Sequence, residues 1–328
     1  MPRRTVDLTE AKGLLETRAD LLERGLSERD IENLVRDGIL RRVRNGRYVW
    51  NSDWIQLWGE GRHLVEVVAT QLNCAEPGPV FWGPSAAVLH GLPLWRFRPT
   101  GVHTVISGSR HGRTVAGVVW HNVALDPSDV IVVDGIRCTS LDRTLLDLAR
   151  TTPAETSLSA ADAALRAEAV TGHVQDADAA AAWIARLTER AAKSHARGIR
   201  KAREIIEFAD GRAQLPGESV SRLQLARLGF MRPELQVHVV GPEGEDYWLD
   251  FGFPRARCFG EFDGKGKYID DELRADRSAE EVVLAEKRRE DAIRGVTGWR
   301  TVRWDSTDIA SADALGARLR TFGIRPPG

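Results

Sequence analysis

The sequence predicts a multidomain α+β protein made of four consecutive parts. First, the chain has 328 residues, more than a single domain usually contains. Second, its hydrophobic residues, 42% of the total, alternate as in strands in some stretches and recur every three or four residues, as in helices, in others. Third, an alanine-rich helical stretch separates the two halves. The predicted parts are residues 1–55, 56–150, 151–208 and 209–328.

Charge and cysteine content restrict the class of protein. The 46 basic and 47 acidic residues leave a formal net charge of -1, so overall charge neither favours nor excludes nucleic acid, and only local patches are informative. Cys74, Cys138 and Cys258 lie far apart without CxxC spacing, which favours a reducing compartment over a disulfide framework. No stretch approaches the roughly 18 apolar residues of a membrane span. We therefore expect a cytoplasmic protein that does not enter a membrane.

Residues 1–55 have the pattern of a small helical domain that ends in a hairpin. Leucines mark two short helices, and Ser27 with Asp30 three residues later predicts a capped start for the helix SERDIENLVRDGI. The following LRRVRNGRYVW alternates around an Asn-Gly pair, a strong signal for a hairpin turn. Helix, turn, helix and β-hairpin together predict a winged helix.

Four arginines crowd this hairpin and predict contact with DNA. Arginine side chains bind phosphates and supply an affinity that depends on salt more than on base sequence. An alternative is that the arginines only protect an exposed strand edge from pairing with other chains. The candidate nucleic-acid contacts are Arg41, Arg42, Arg44 and Arg47.

The helix-helix-hairpin order and the closing GRYVW resemble the N-terminal winged-helix domain of abortive-infection type antitoxins, which are transcriptional regulators of type IV toxin–antitoxin systems. The Ser-Ala-Ala run at 85–87 and the Arg-Thr-Leu run at 143–145 resemble the same proteins. This resemblance implies that the first part of the chain binds DNA.

The second and third parts carry less specific signals. Residues 56–150 contain a helix that ends at Gly91, two strand-like runs, VHTVISG and VAGVVWHNV, and then a strand, turn, strand and helix in DVIVVDGIRCTSLDRTLLDLAR. This mixture predicts an α+β middle domain. Residues 151–208 are rich in alanine and have helical spacing, which predicts a helical connector.

Residues 209–328 place three acidic side chains where two predicted strands meet. Asp250 lies in an alternating apolar run, a turn follows at 254–257, and a second apolar run carries Glu261 and Asp263. Side chains two apart on a strand point to the same face, so Glu261 and Asp263 project together and the hairpin brings Asp250 alongside. Close carboxylates raise one another's pKa unless a cation neutralises them, and all-oxygen ligands suit Mg²⁺ or Mn²⁺.

The whole of this last part resembles the PD-(D/E)XK nuclease superfamily, and within it the domains similar to very-short-patch-repair endonucleases. The order that carries the resemblance is a helix opened by Glu218, a strand around Val237, the acidic hairpin, a basic helix at 278–294 and a closing strand at 299–304. It implies a C-terminal α/β restriction-endonuclease-like domain. By the family pattern, Asp250 and Glu261 bind Mg²⁺ (or Mn²⁺), and Glu218 assists.

The sequence departs from the family at one position. Asp263 stands where the family has a lysine that orients water and stabilises the charge of the phosphorane. Asp263 is then an assisting acid, and Lys265 or Lys287 is the candidate to replace the lysine. Ordinary structural explanations stay open for two of the acids, since Glu218 favours the helix macrodipole and Asp263 begins an Asp-Gly turn signal.

Two functions from different classes follow. The first is a Mg²⁺-dependent DNA endonuclease or nickase guided by the winged helix, in a defence or toxin–antitoxin context, with RNA as an open alternative substrate. The second is a DNA-binding transcriptional regulator or antitoxin whose nuclease-like domain is catalytically inactive. Both take DNA as the partner, and a protein partner or a homodimer is left open.

Overall fold

The computed structural model describes residues 4–98, 100–106, 116–264 and 279–327. The chain combines helices with several β-sheets, in agreement with the predicted α+β class. It divides into two compact units, Met1–Ala160 with Leu187–Ile205, and Ala161–Arg186 with Ile206–Gly328. The division into four parts stays a prediction. Within the described ranges, no helix has both the length and the apolar character needed to cross a bilayer.

The first unit begins with three short helices and a small antiparallel sheet. Asp30 and Ser27 form the predicted capping box, and Leu21, Ile31 and Tyr48 pack into a shared core. The strands pair in the order β1-β3-β2, so the short β1 adds to the hairpin β2-β3. The elements are α1 Leu8–Gly13, β1 Glu16–Thr17, α2 Arg18–Glu23, α3 Glu28–Arg36, β2 Leu40–Arg44 and β3 Arg47–Trp50.

The rest of this unit contains a five-stranded mixed sheet with the order β6-β5-β4-β8-β7. The predicted turn at Asp134 and Gly135 is confirmed, and both residues have the positive φ angles (48° and 84°) that a tight hairpin requires. The elements are α4 Asn51–Gln56, α5 Gly59–Gln71, β4 Val80–Phe81, α6 Pro84–Leu89, β5 Val102–Val105, β6 Val118–His121, β7 Val130–Val133, β8 Ile136–Thr139 and α7 Leu141–Thr151.

The alanine-rich stretch is helical, as its spacing predicts. A two-stranded hairpin interrupts it, and the boundaries between the two units fall inside its helices. The elements are α8 Ala154–Ala169, β9 Val170–Thr171, β10 Val174–Gln175, α9 Ala177–Ala192 and α10 Ile199–Phe208.

The second unit has a four-stranded sheet with the order β11-β12-β13-β14. Only β13 and β14 are parallel, because the long helix α12 crosses between them. The predicted basic helix and closing strand are confirmed, while residue 278, the predicted start of the helix, lies outside the described residues. The elements are α11 Pro216–Arg227, β11 Glu234–Val240, β12 Asp246–Phe253, β13 Cys258–Phe262, α12 Ala279–Thr297, β14 Arg300–Trp304 and α13 Ala312–Thr321.

A buried ion pair ties helix α8 to helix α11 inside this unit. Arg222 Nη1 donates to Asp162 Oδ2 at 2.6 Å, and the two side chains are 4% and 1% exposed. The backbone N–H of Asp210 donates to the other oxygen of Asp162 at 2.9 Å, and Arg222 Nη2 donates to the carbonyl oxygen of Phe208 at 2.6 Å. The pair is therefore supported by hydrogen bonds on both sides, which is the condition under which buried charges are tolerated.

Removing one member of this pair leaves the other charge buried without compensation. We expect Asp162→Ala to lower the free energy of unfolding by about 3–5 kcal/mol, measured by urea denaturation. The control is Glu189→Ala, which breaks an exposed ion pair with Lys193 and changes stability little. An equal, small effect of both substitutions would contradict the structural role of the buried pair.

Candidate functional site

Glu218 and Asp250 are two carboxyl groups that interact electrostatically. Glu218 lies in the first turn of α11, where its side chain is 3% exposed, and Asp250 lies half-buried in β12. Asp250 Oδ2 accepts a hydrogen bond from the backbone N–H of Phe262 at 2.8 Å. Burial, together with the negative charge of Asp250, raises the pKa of Glu218 well above its ordinary value. A proton or a cation at Glu218 would offset the negative charge of Asp250.

The hydrogen bonds around Glu218 come from neutral groups. The backbone N–H of Gln214 donates to Glu218 Oε2 at 2.9 Å, and Gln236 Nε2 donates to the same oxygen at 3.5 Å. The positive charge of Arg166 lowers the pKa of Glu218, but by less than burial and Asp250 raise it. These contacts hold the carboxyl group in place without neutralising it.

Glu261 is in a different electrostatic environment. Its two oxygens lie 2.8 Å from Arg289 Nη1 on α12 and 3.1 Å from Arg303 Nη2 on β14. Arg303 stands directly across from Glu261 in the parallel pairing of β13 with β14. Glu286 shares both arginines. Arg289 and Arg303 thus neutralise Glu261. The sequence alone does not indicate this pairing.

The remaining predicted catalytic residues are Asp263, Lys287 and Lys265. Asp263 follows the last residue of β13, is exposed, and donates its backbone N–H to the carbonyl oxygen of Trp304 at 2.8 Å. Lys287 is exposed on α12. Lys265 lies outside the described residues. In the part of the chain that the structure describes, no three His, Cys, Asp or Glu side chains form a group that could hold a metal ion.

The donor chemistry of the first pair nevertheless fits a hard divalent cation. Glu218 and Asp250 offer carboxylate oxygens, which Mg²⁺ and Mn²⁺ prefer, and magnesium sites often use one or two carboxylates and fill the rest of the coordination shell with water and substrate. A bound cation would also remove the electrostatic cost of ionising Glu218 beside Asp250. Glu261 fits such a site less well, because Arg289 and Arg303 already neutralise it.

Two of the four predicted DNA-binding arginines are exposed. The guanidinium of Arg41 lies over the ring of Trp54, 4.6 Å from its centroid, and Arg42 bonds to Asn45 at the hairpin turn. Both contacts leave the side chains at the surface of the hairpin. Within the described residues, the side chains of Arg41 and Arg42 are exposed and accessible to a phosphate group.

The other two arginines are engaged inside the first unit. Arg44 donates from Nε to Thr70 Oγ1 at 2.8 Å and from Nη2 to the carbonyl oxygen of Gly117 at 2.8 Å, and burial lowers its pKa. Arg47 donates to Asn73 Oδ1 at 3.1 Å and to the carbonyl oxygen of Leu72 at 3.3 Å. These arginines fix the hairpin to helix α5 and the residues that follow it, so their first role is structural.

Sequence patterns do not identify three residues near the acids. His173 and Gln214 contact the side chain of Gln236, and Arg166 acts on Glu218 through its charge. His173 and Arg166 precede the predicted nuclease-like part, and neither belongs to a recognisable motif. Only the three-dimensional packing places them at the site.

Comparison with known proteins adds relatives but no activity. No family model matches the chain. The chain is 30% identical over 180 residues to two uncharacterized proteins of Mycobacterium tuberculosis, MT2308 of strain CDC 1551 / Oshkosh and Rv2248 of strain ATCC 25618 / H37Rv. Each match covers 55% of this chain and 60% of the relative, so the chain spans less than two thirds of their length. Their names state no substrate or partner.

The raised pKa of Glu218 makes a prediction about stability and pH. Below the ordinary pKa of a glutamate both the folded and the unfolded chain hold the proton, so the group has no effect; as pH rises, only the unfolded chain ionises easily, and the folded chain loses stability. We expect metal-free Glu218→Gln to be more stable than the wild type at neutral pH, and this advantage to shrink towards pH 4. Urea denaturation in EDTA across this range measures it.

Glu261→Gln is the matched control for that experiment. This substitution removes the charge that pairs with Arg289 and Arg303, so we expect it to lower stability at neutral pH. A loss of stability at neutral pH in Glu218→Gln, similar to that in Glu261→Gln, would show that Glu218 is compensated in the folded chain.

Proposed function

We propose that this chain is a metal-dependent DNA endonuclease or nickase, whose hydrolytic site is built around Glu218 and Asp250. The observation that carries the proposal is the electrostatic interaction of these two carboxyl groups, one from the start of α11 and one from β12, together with the burial of Glu218; both raise the pKa of Glu218. A carboxyl pair with perturbed ionisation is typical of a functional site.

The order of elements in the second unit supports the same function. Helix α11, the antiparallel strands β11, β12 and β13, helix α12 and the parallel strand β14 follow one another in the order that the PD-(D/E)XK resemblance implies. Glu218, Asp250 and Glu261 lie on the elements where that family carries its acids. This order supports the proposed nuclease function.

In the proposed site, Glu218 and Asp250 hold Mg²⁺ (or Mn²⁺) through their carboxylate oxygens. When bound, the cation supplies positive charge that polarises a phosphodiester for attack by water. Arg289 and Arg303 place guanidinium groups beside Glu261, and in this proposal they supply the positive charge that the family takes from its lysine. Asp263 and Lys287 are exposed, and the proposal gives neither of them a direct role in holding the cation.

The first part of the chain is proposed to dock the duplex. In support of this, a helix, a strand, two helices and a hairpin follow one another in the order expected for a winged helix, and Arg41 and Arg42 are exposed on the hairpin. DNA is the proposed substrate, and a protein partner or a second copy of the chain is compatible with this arrangement. All three cysteines are unpaired, which supports the cytoplasm as the proposed compartment.

The ion pairs of Glu261 with two arginines favour a second function. Because Arg289 and Arg303 bind both of its oxygens, the third acid of the family pattern is withdrawn from a metal site. A protein with this arrangement and an exposed arginine hairpin is a DNA-binding regulator or antitoxin whose nuclease-like unit no longer cleaves. The two functions differ in one measurable property, hydrolysis of DNA.

The endonuclease proposal is tested with supercoiled plasmid and Mg²⁺ or Mn²⁺. We expect the full chain to nick or linearise the plasmid, and Asp250→Asn to reduce this to background because one of the two carboxylates is lost. Asp246→Asn is the control, since it removes an exposed carboxylate from the start of the same strand and should cleave normally. Absence of cleavage by the folded wild type with every metal and DNA form would leave the regulator as the function.

DNA docking makes a separate prediction. Arg42→Ala should weaken duplex binding and lower the slope of log K against log salt by about 1, whereas Arg24→Ala, an exposed arginine paired with Glu16, should bind normally. Arg44→Ala should instead lower the free energy of unfolding by about 1–3 kcal/mol, because its hydrogen bonds are internal. Fluorescence anisotropy at several salt concentrations and urea denaturation measure these effects. Unchanged binding in Arg42→Ala would exclude the hairpin tip as a phosphate contact.

A further inference from the structure

The ring nitrogen Nδ1 of His173 lies within hydrogen-bonding distance of two glutamine side chains, and its tautomer decides whether it donates to Gln236 or accepts from Gln214. His173 lies in the turn between β9 and β10, and its Nδ1 is 2.9 Å from Gln236 Oε1 and 2.9 Å from Gln214 Nε2. Gln214 Nε2 also donates to Gln236 Oε1 at 3.0 Å. The three side chains thus form a triangle of close polar contacts, of which two are hydrogen bonds in either tautomer of His173.

Both glutamines of this triangle also contact Glu218. Gln214 does so through its backbone N–H and Gln236 through its side-chain amide, and both donate to Glu218 Oε2. Because the side-chain oxygen of Gln236 faces His173 and Gln214, its side-chain nitrogen points towards the carboxyl group of Glu218. The orientation of Glu218 therefore depends on the position of His173, two hydrogen bonds away.

The surroundings of the triangle keep it rigid. The His173 ring stacks on Trp248 with centroids 4.3 Å apart and an interplanar angle of 5°, and Trp248 lies two residues before Asp250 on β12. Arg166 Nη2 donates to the carbonyl oxygen of Gly172 at 2.9 Å, which anchors the turn.

Gln236 itself has a φ of 50°, although it lies within β11. A non-glycine residue in this region of backbone space is strained, and such strain persists where the surroundings fix a side chain in one orientation.

We propose that His173 is a positioning residue of the acid site, which fixes Gln214 and Gln236 and through them the carboxylate of Glu218. This inference rests on the proposed function for its consequence, namely that the fixed carboxylate binds a divalent cation better. It also extends the site to the helical stretch before residue 209. Partners that orient the groups around a metal typically change its affinity by about 10- to 100-fold when they are removed.

The chain contains a matched control for a merely structural role of this ring. His238 also stacks on Trp248, with centroids 4.6 Å apart and an angle of 26°, but its hydrogen-bonding partner is Asp246. Replacing His238 removes stacking on the same tryptophan while leaving the triangle intact. His173→Asn offers the opposite control, because the amide nitrogen of asparagine occupies nearly the same place as Nδ1 of histidine.

The first readout is Mn²⁺ binding to the full-length chain at neutral pH, measured by titration calorimetry. We expect His173→Ala to bind Mn²⁺ at least about 10-fold more weakly than the wild type, and His173→Asn and His238→Ala to bind it within a factor of about 3. Equal loss in His173→Ala and His238→Ala would show that only stacking matters and would overturn the proposal. Unchanged Mn²⁺ affinity in His173→Ala would overturn it as well.

The second readout needs no metal and separates the two proposals. In the chain labelled with ¹⁵N-glutamine, we expect His173→Ala to shift the side-chain amide signals of Gln214 and Gln236, His173→Asn to restore them, and His238→Ala to leave them in place. If the wild type binds no Mn²⁺, the metal-dependent function fails, and this spectrum still decides whether His173 positions the amides. Unshifted amide signals in folded His173→Ala would overturn the positioning role.

Discussion

The site depends on the burial of one carboxyl group, that of Glu218. Gly217 lets helix α11 pack so closely on β13 that a Cβ at this position would lie 2.0 Å from the ring of Phe262. Trp304 Nε1 donates to Ser221 Oγ at 2.8 Å and fixes the same helix one turn later. This packing removes water from Glu218 and places it beside Asp250. A cation bound at these two acids would lower the cost of ionising the buried Glu218.

Two acids of the second unit, Glu261 and Glu218, have different kinds of partner. At Glu261, α12 and β14 each contribute an arginine, and the acid is neutralised by the chain itself. At Glu218 the direct partners are neutral amides. This difference bears on the choice between the two proposed functions. A nuclease needs carboxylates that can bind a metal cation, whereas a regulator needs only a stable fold. The pairing of Glu261 with Arg289 and Arg303 is therefore the contact that separates them.

The sequence predicts the elements better than the contacts of their side chains. The capping box at Ser27, the turn at Asp134 and the final helix and strand are encoded locally, by residue types at fixed spacing, and these predictions are confirmed. Which acid pairs with which arginine depends on helix packing and on strand register, which spacing along one strand does not specify. For the same reason the internal hydrogen bonds of Arg44 with Thr70 could not be predicted from the cluster of arginines.

The distribution of compensating charge in the second unit argues for a binding site at Glu218. Other enclosed acids of this unit pair directly with arginines. Arg222 pairs with Asp162, and two arginines pair with Glu261. At Glu218, among the described contacts, the hydrogen bonds come from amide groups, and Arg166 contributes only through its charge. A purely structural carboxyl group in this position would be more stable as an amide or with a direct cationic partner. Glu218 is held by neutral donors, and Arg166 offsets only part of the effect of burial and Asp250, which supports the proposed site for a cationic ligand.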